Sequence, residues 1–247
     1  MKRSEINRAI DEAIALAREA GFALPPFALW GPEEWRDRRE HLAPTMARGL
    51  GWDVTDFGRG DFAAFGLTLL TMRNGSLRER DAGVGQTYAE KLMYQREGQE
   101  CPFHLHEIKT EDIINRGRGT IQAELYPVDW ASGTAALGSG VTRTFVSGIL
   151  RDVVAGEPVE LGPGEWIQVP LGCYHRFTAQ HGPVLAGEVS CVNDDEGDNT
   201  FLVQASRFPT IEEDEPARHL TTAEYGPLLA DLTPQPSAAE MAALSDH

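Results

Sequence analysis

Near the start of the chain, apolar residues recur at Ile6, Ile10, Ala13, Ile14 and Ala17. That spacing marks one face of an amphipathic helix. Ser4 stands before it as a candidate N-cap and Gly21 follows where a C′ glycine belongs, so a helix is predicted over residues 5–20, packed by its apolar stripe on the body of the protein. Pro25-Pro26 breaks the chain, and Gly31-Pro32-Glu33-Glu34-Trp35 opens a second helix, with proline at N1 and acids in the first turn. This helix is expected to end before Pro44, and residues 46–52 to add a further helical turn.

From about Asp53 the period changes. Short runs rich in Val, Phe, Leu and Thr are separated by glycine-containing turns: 67–72 before Asn74-Gly75, 89–94 before Gly98, and 120–126, where Ile121, Ala123 and Leu125 alternate. Further strands are predicted at 149–154, 159–161, 166–169, 175–178, 184–189 and 201–205. The glycine-rich stretch 132–142 reads as an exposed loop. Many short strands with turns between them are the pattern of a closed β-barrel or sandwich. A short helix is predicted to open at Thr221-Thr222-Ala223-Glu224-Tyr225, and 234–247 reads as a loose tail. The organisation expected is a helical extension over 1–58, a barrel over 59–210 and an acidic extension over 211–247.

Composition narrows the function. The chain has 247 residues, with 38 acidic and 22 basic side chains and a net charge of −16. Binding to nucleic acid or an anionic membrane needs basic surface, so these partners are excluded, and a small-molecule substrate in the cytoplasm is favoured. The run Glu212-Glu213-Asp214-Glu215 reads as a solvated loop. No apolar stretch approaches the length of a membrane span, and the charged N-terminus does not read as a signal peptide. Three unevenly spaced cysteines, Cys101, Cys173 and Cys191, give no disulfide framework. Two of them flank the candidate metal ligands, which leaves a thiolate ligand open beside the plainer assignment as small buried residues.

The candidate chemistry lies in two stretches. His104 and His106, one residue apart on a strand, present both imidazoles on one face. Glu111 can return to that face if the chain turns, and His175 is a fourth donor far downstream. Imidazole and carboxylate suit a divalent ion from manganese to zinc. His41, His181, His219 and His247 read as surface residues, and Trp166, Tyr174 and Phe177 as core or pocket wall.

Gly98-x5-His104-x-His106-x4-Glu111 resembles the first motif of the cupin superfamily, and Gly164-x5-Pro170-x-Gly172-x2-His175 the second. Two departures spare the ligands: the expected glycine after Glu111 falls one position off, at Gly117 or Gly119, and Ala179 stands where asparagine is expected. The resemblance implies a jelly-roll β-barrel holding one metal among His104, His106, Glu111 and His175. The fuller run over 100–115, the stretch 187–195 and Arg207-Phe208-Pro209 resemble the bacterial D-lyxose isomerases. That similarity implies a manganese-dependent homodimer interconverting D-lyxose with D-xylulose, and often D-mannose with D-fructose.

Such a reaction needs a base to move a proton between C2 and C1 and a second group to serve the oxygens. Glu188, a carboxylate on an apolar strand, is the preferred base, with burial expected to tune it toward neutrality. Lys109 shares strand parity with Glu111 and is the candidate proton carrier. Lys91, Asp194, Asp195 and Arg207 are candidates for holding sugar hydroxyls. The same ligand set also serves iron-dependent dioxygenases and non-catalytic cupins that bind small ligands.

Overall fold

The computed structural model describes residues 1–194, 197–203, 205 and 209–230. Asp195, Arg207 and the tail over 234–247 lie outside the described residues.

Helix α1 (Arg3–Glu19) buries Ile6, Ile10, Ala13 and Ala17 along the predicted stripe, and Gly21 takes the left-handed conformation (φ 70°) just past its end. Its start differs from expectation. Lys2, not Ser4, occupies the N-cap, and it makes no side-chain cap. The anion that a helix start favours comes from far along the chain: the Asp214 carboxylate accepts the Ser4 N–H at 2.8 Å and the Ser4 hydroxyl at 2.7 Å. The acidic run is therefore bound, not simply solvated. Glu213 accepts from buried Arg3 at 2.7 Å and Glu215 accepts from Asn7 at 2.6 Å.

Helix α2 (Pro32–Asp37) is shorter than predicted. A 3-10 turn over Arg39–His41 leads into α3 (Leu42–Ala47), which contains Pro44. Pro44 sits in the first turn, where a backbone N–H has no intrahelical partner to lose, so it does not stop the helix. Residues 46–52 are split between the end of α3 and a strand, because β1 (Gly51–Thr55) opens the sheet before Asp53.

The remaining strands are β2 (Leu67–Arg73), β3 (Tyr88–Gln95), β4 (Glu100–Leu105), β5 (Glu111–Gly117), β6 (Thr120–Asp129), β7 (Ala136–Leu137) and β8 (Val141–Val146). They continue with β9 (Ile149–Val154), β10 (Val159–Leu161), β11 (Trp166–Val169), β12 (Cys173–Gln180), β13 (Val184–Cys191) and β14 (Thr200–Phe201). Helix α4 (Leu77–Asp81) separates β2 from β3, so Asn74-Gly75 is not a hairpin turn. The stretch 132–142 carries β7 and the first residues of β8, while the strand expected at 201–205 shrinks to β14. Helix α5 (Tyr225–Ala230) follows a 3-10 turn capped by Thr221, close to its predicted place.

Two antiparallel sheets face each other. One has the order β1-β2-β3-β13-β5-β11-β8-β9, the other β10-β6-β12-β4-β14, with β7 beside β6. Leu67, Leu69, Ile113, Ile121, Leu125, Ile167 and Phe177 fill the space between them. The eight-stranded sheet also has an apolar outer face on its first half, where Leu70, Leu92 and Leu185 meet the α1 stripe. Strand β2 is buried on both faces, which explains its unbroken apolar run. The barrel and its helical cover agree with the expected fold.

Candidate active site

His104 on β4 lies directly opposite His175 on β12, and His106 follows just past the end of β4. Their rings gather at centroid distances of 4.1 Å (His104–His175), 5.1 Å (His104–His106) and 5.4 Å (His106–His175). Glu111 comes from the other side. It is the first residue of β5, and the turn over 107–110 carries the chain from one sheet to the other. The ligand atoms of all four buried residues lie within 4.8 Å of one another. The cysteines contribute none of them; all three are free thiols, and burial pushes Cys101 well above the usual thiol range.

Each imidazole is oriented by a backbone carbonyl at Nδ1: Pro102 for His104 (2.8 Å), Asp198 for His106 (2.6 Å) and Cys173 for His175 (3.2 Å). A carbonyl only accepts, so Nδ1 carries the proton and Nε2 presents its lone pair. Burial holds His104 well below the ordinary imidazole value, reinforced by His175 and His106. Burial and the Lys109 charge lower His106. Burial would raise Glu111, but Lys109 and His106 outweigh it and keep the carboxyl well below its usual range. The result is a carboxylate kept ionised beside His104 and His106, both held toward the neutral imidazole. His175 Nε2 is buried without a properly directed hydrogen bond, which is what a site shaped for a cation leaves behind. This three-nitrogen, one-oxygen set fits a divalent metal.

Beside it lies a second charged cluster. Lys109 Nζ is 2.6 Å from Glu188 Oε1, 2.9 Å from Glu111 Oε2 and 3.1 Å from Asn193 Oδ1. Lys91 on β3 is the cross-strand partner of Glu188 on β13, with Nζ 3.5 Å from Glu188 Oε2 and 2.6 Å from Asn193 Oδ1. Burial lowers the affinity of Lys109 for its proton, but Glu111 and Glu188 more than reverse this. For Glu188, burial alone would raise the pKa as expected; Lys109 and Lys91 overturn that and lower it. Glu188 is thus an ionised carboxylate facing a protonated lysine.

One cavity joins the two clusters. His104, His106, Glu111, Lys109, Lys91 and Glu188 form its polar side, while Phe57, Leu67, Leu69, Met93, Phe177 and Phe201 form its apolar wall. Phe57 reaches the cavity from a left-handed backbone position (φ 56°), held by its N–H to Thr55 Oγ1 at 2.9 Å and by Asp56, which accepts the Gly58 N–H.

The structure therefore gathers the four metal candidates, Lys109, Glu188 and Lys91. Asp194 is not brought to the cavity wall; its carboxylate accepts the Gly197 N–H at 3.1 Å. Asp195 and Arg207 lie outside the described residues. Lys109 reaches the site from the inter-sheet turn, not by the strand parity inferred from the sequence. Asn193, part of the polar cluster over 193–195 that favours an isomerase, is clamped by Asn74 through two bonds of 2.9 Å, whereas sequence reasoning missed Asp198 and the lining residue Asn199. Of the remaining histidines, His41 and His181 are exposed, His219 is half-buried against the Trp30 carbonyl, and His247 is outside the described residues.

A double-sheet barrel with three histidines and a glutamate between its sheets is the architecture of a cupin-type metal centre. A model of the D-lyxose isomerase family matches residues 1–225, and the chain belongs to that family. It is 43% identical to the D-lyxose/D-mannose isomerase of Escherichia coli O157:H7, over 91% of this chain and 98% of that protein. It is 28% identical to the D-lyxose ketol-isomerase of Cohnella laeviribosi, over 74% of this chain and 98% of that one. In fold it is similar to the L-ribose isomerase of Cellulomonas parahominis, with a TM-score of 0.53 at 19% identity, over 86% of this chain and 98% of that one.

Proposed function

We propose that the chain is a metal-dependent aldose–ketose isomerase that interconverts D-lyxose and D-xylulose, and D-mannose and D-fructose. One observation carries the reading: a buried carboxylate–ammonium pair, Glu188–Lys109 at 2.6 Å, adjoins a four-donor metal set. His104, His106, Glu111 and His175 would hold the metal; their donors suit a divalent ion from manganese to zinc, and manganese is the ion that the family resemblance implies. When bound, it supplies Lewis-acid stabilisation of the negative charge that develops on the sugar oxygens.

The chain's own groups move the protons. Glu188 takes the proton from C2, the released pair forms the C1–C2 double bond, and the carbonyl pair moves to O1. O1 takes a proton from Lys109 Nζ. In the second half, Lys109 recovers a proton from the C2 hydroxyl, whose pair forms the new C2 carbonyl, and Glu188 returns its proton to C1. Lys91 and Asn193 keep the two groups in place, and burial keeps solvent from the transferring proton. Asp195 and Arg207 are the groups we propose for holding the outer hydroxyls. This polar proton-transfer set disfavours a dioxygenase or a passive binding cupin.

The test is incubation of metal-stripped and Mn²⁺-loaded protein with a panel of pentoses and hexoses, read for ketose formation. Conversion of D-lyxose and D-mannose with Mn²⁺ alone is the expected result. Turnover that survives complete chelation, or oxygen uptake without ketose, overturns the reading.

The working form we propose is a homodimer. Support comes from the outer face of β8 and β9, where Phe145 pairs with Leu150 and Val141 with Val154, all four exposed. Light scattering should give twice the chain mass, and L150E should shift it toward a single chain; a wild-type monomer rejects the proposal. The cytoplasm is the compartment we propose, supported by three unpaired thiols, and cell fractionation checks it.

A further inference from the structure

Asp198 is nearly fully buried, at 3% exposure, and its carboxylate bonds converge on one short turn. Its Oδ1 accepts the N–H groups of Glu107 and Ile108, each at 2.7 Å, and its Oδ2 accepts the Lys109 N–H at 3.2 Å. Its own backbone carbonyl accepts His106 Nδ1 at 2.6 Å. One residue thus folds the turn that launches Lys109 and also orients the metal ligand that precedes the turn.

We propose that Asp198 is the positioning residue that sets Lys109 for proton transfer and ties it to the metal-ligand set. The inference rests on the proton-carrier role given to Lys109 above. A lysine has a long flexible stem, and a fixed ammonium needs its Cα anchored as well as its tip. Glu111 and Glu188 hold the tip of Lys109, while the Asp198 carboxylate holds its backbone. Successive N–H groups converging on one anion form a rigid concavity, so the turn has one well-determined shape while the anion is present. The division of labour within Asp198 makes the idea testable. Side-chain substitution removes the anchor of the turn and leaves the carbonyl that orients His106.

Asp198→Asn keeps the size of the side chain but replaces one acceptor oxygen by an amide that faces backbone N–H donors. The expected result is a kcat about 10–100-fold lower, with the KM for D-lyxose and the bound Mn²⁺ per chain unchanged. The decisive comparison is D198N in a Lys109→Met background. If Asp198 acts through Lys109, the double variant is no slower than K109M alone, whereas independent effects multiply. Circular dichroism and thermal melting establish that each variant is folded.

A D198N enzyme with wild-type kcat overturns the proposal. So does a loss that multiplies with that of K109M, or an isosteric D198N that cannot fold, since each gives Asp198 a purely structural role. A fully active K109M is a different failure: it removes Lys109 from the reaction itself and overturns the reading on which the inference rests.

Discussion

Glu188→Gln is expected to lower kcat by about 10²–10⁴-fold, the usual contribution of a positioned general base, while metal content stays at the wild-type level. The substitution keeps the shape of the side chain and removes its ability to accept a proton. Glu188 lies on β13 outside the four-donor set, so metal binding has no direct dependence on it. The variant also disturbs charge balance. Lys109 and Lys91 together face two carboxylates, and losing one leaves a buried positive charge less well compensated. Breaking a buried pair costs about 3–5 kcal/mol in the unrelieved case. Two contacts limit that loss: Glu111 still meets Lys109 at 2.9 Å, and Asn193 still accepts from both lysines. Melting should therefore begin at lower temperature than in the wild type, and kinetics belong well below that transition. A folded, metal-loaded E188Q that isomerises D-lyxose at the wild-type rate would show that the base lies elsewhere.

The metal half of the site was far more legible in the sequence than the catalytic half. His104 and His106 obey the two-residue period of a strand, and the gapped spacing around His175 repeats a known pattern, so neither depends on knowing which strands are neighbours. Glu111 was found by spacing, but its approach from the opposing sheet was hidden because the turn that carries it across is fixed by Asp198, remote in sequence. Lys109 illustrates the same limit: the residue was identified, yet strand parity was the wrong physical reason. Glu188 stood out as a charge on an apolar strand, while its pairing with Lys91 depends on register between β3 and β13, and register is not displayed by either strand alone. Asp198 sits in a polar stretch with the composition of a solvated loop; only burial distinguishes it. The start of α1 failed similarly, since a local signal at Ser4 was overridden by Asp214 from the far end of the fold. In each case the missed element is a polar contact between distant segments, whereas the found elements are local periodicities.

Metal binding should also be visible without any sugar. A ligand that binds only the folded chain adds about 2.7 kcal/mol at 100-fold excess over its dissociation constant. For a chain of this size, about 2–4 °C of melting temperature accompanies each kcal/mol, so Mn²⁺ should raise the Tm of stripped protein by about 5–11 °C. His175→Ala should abolish both that shift and turnover. His175 is the candidate ligand from the second sequence stretch, 1% exposed, with Nε2 3.0 Å from Glu111 Oε1 but no directed hydrogen bond. Removing it leaves two imidazoles and one carboxylate on a single continuous segment, so the half-site contributed by β12 is gone. The thermal measurement separates the metal site from the catalytic assignments. E188Q should keep the Mn²⁺-induced shift and lose turnover, because its defect lies in the proton path; H175A should lose both. A shift that persists in H175A, or is absent from the wild type at saturating Mn²⁺, would reject these four residues as the metal site.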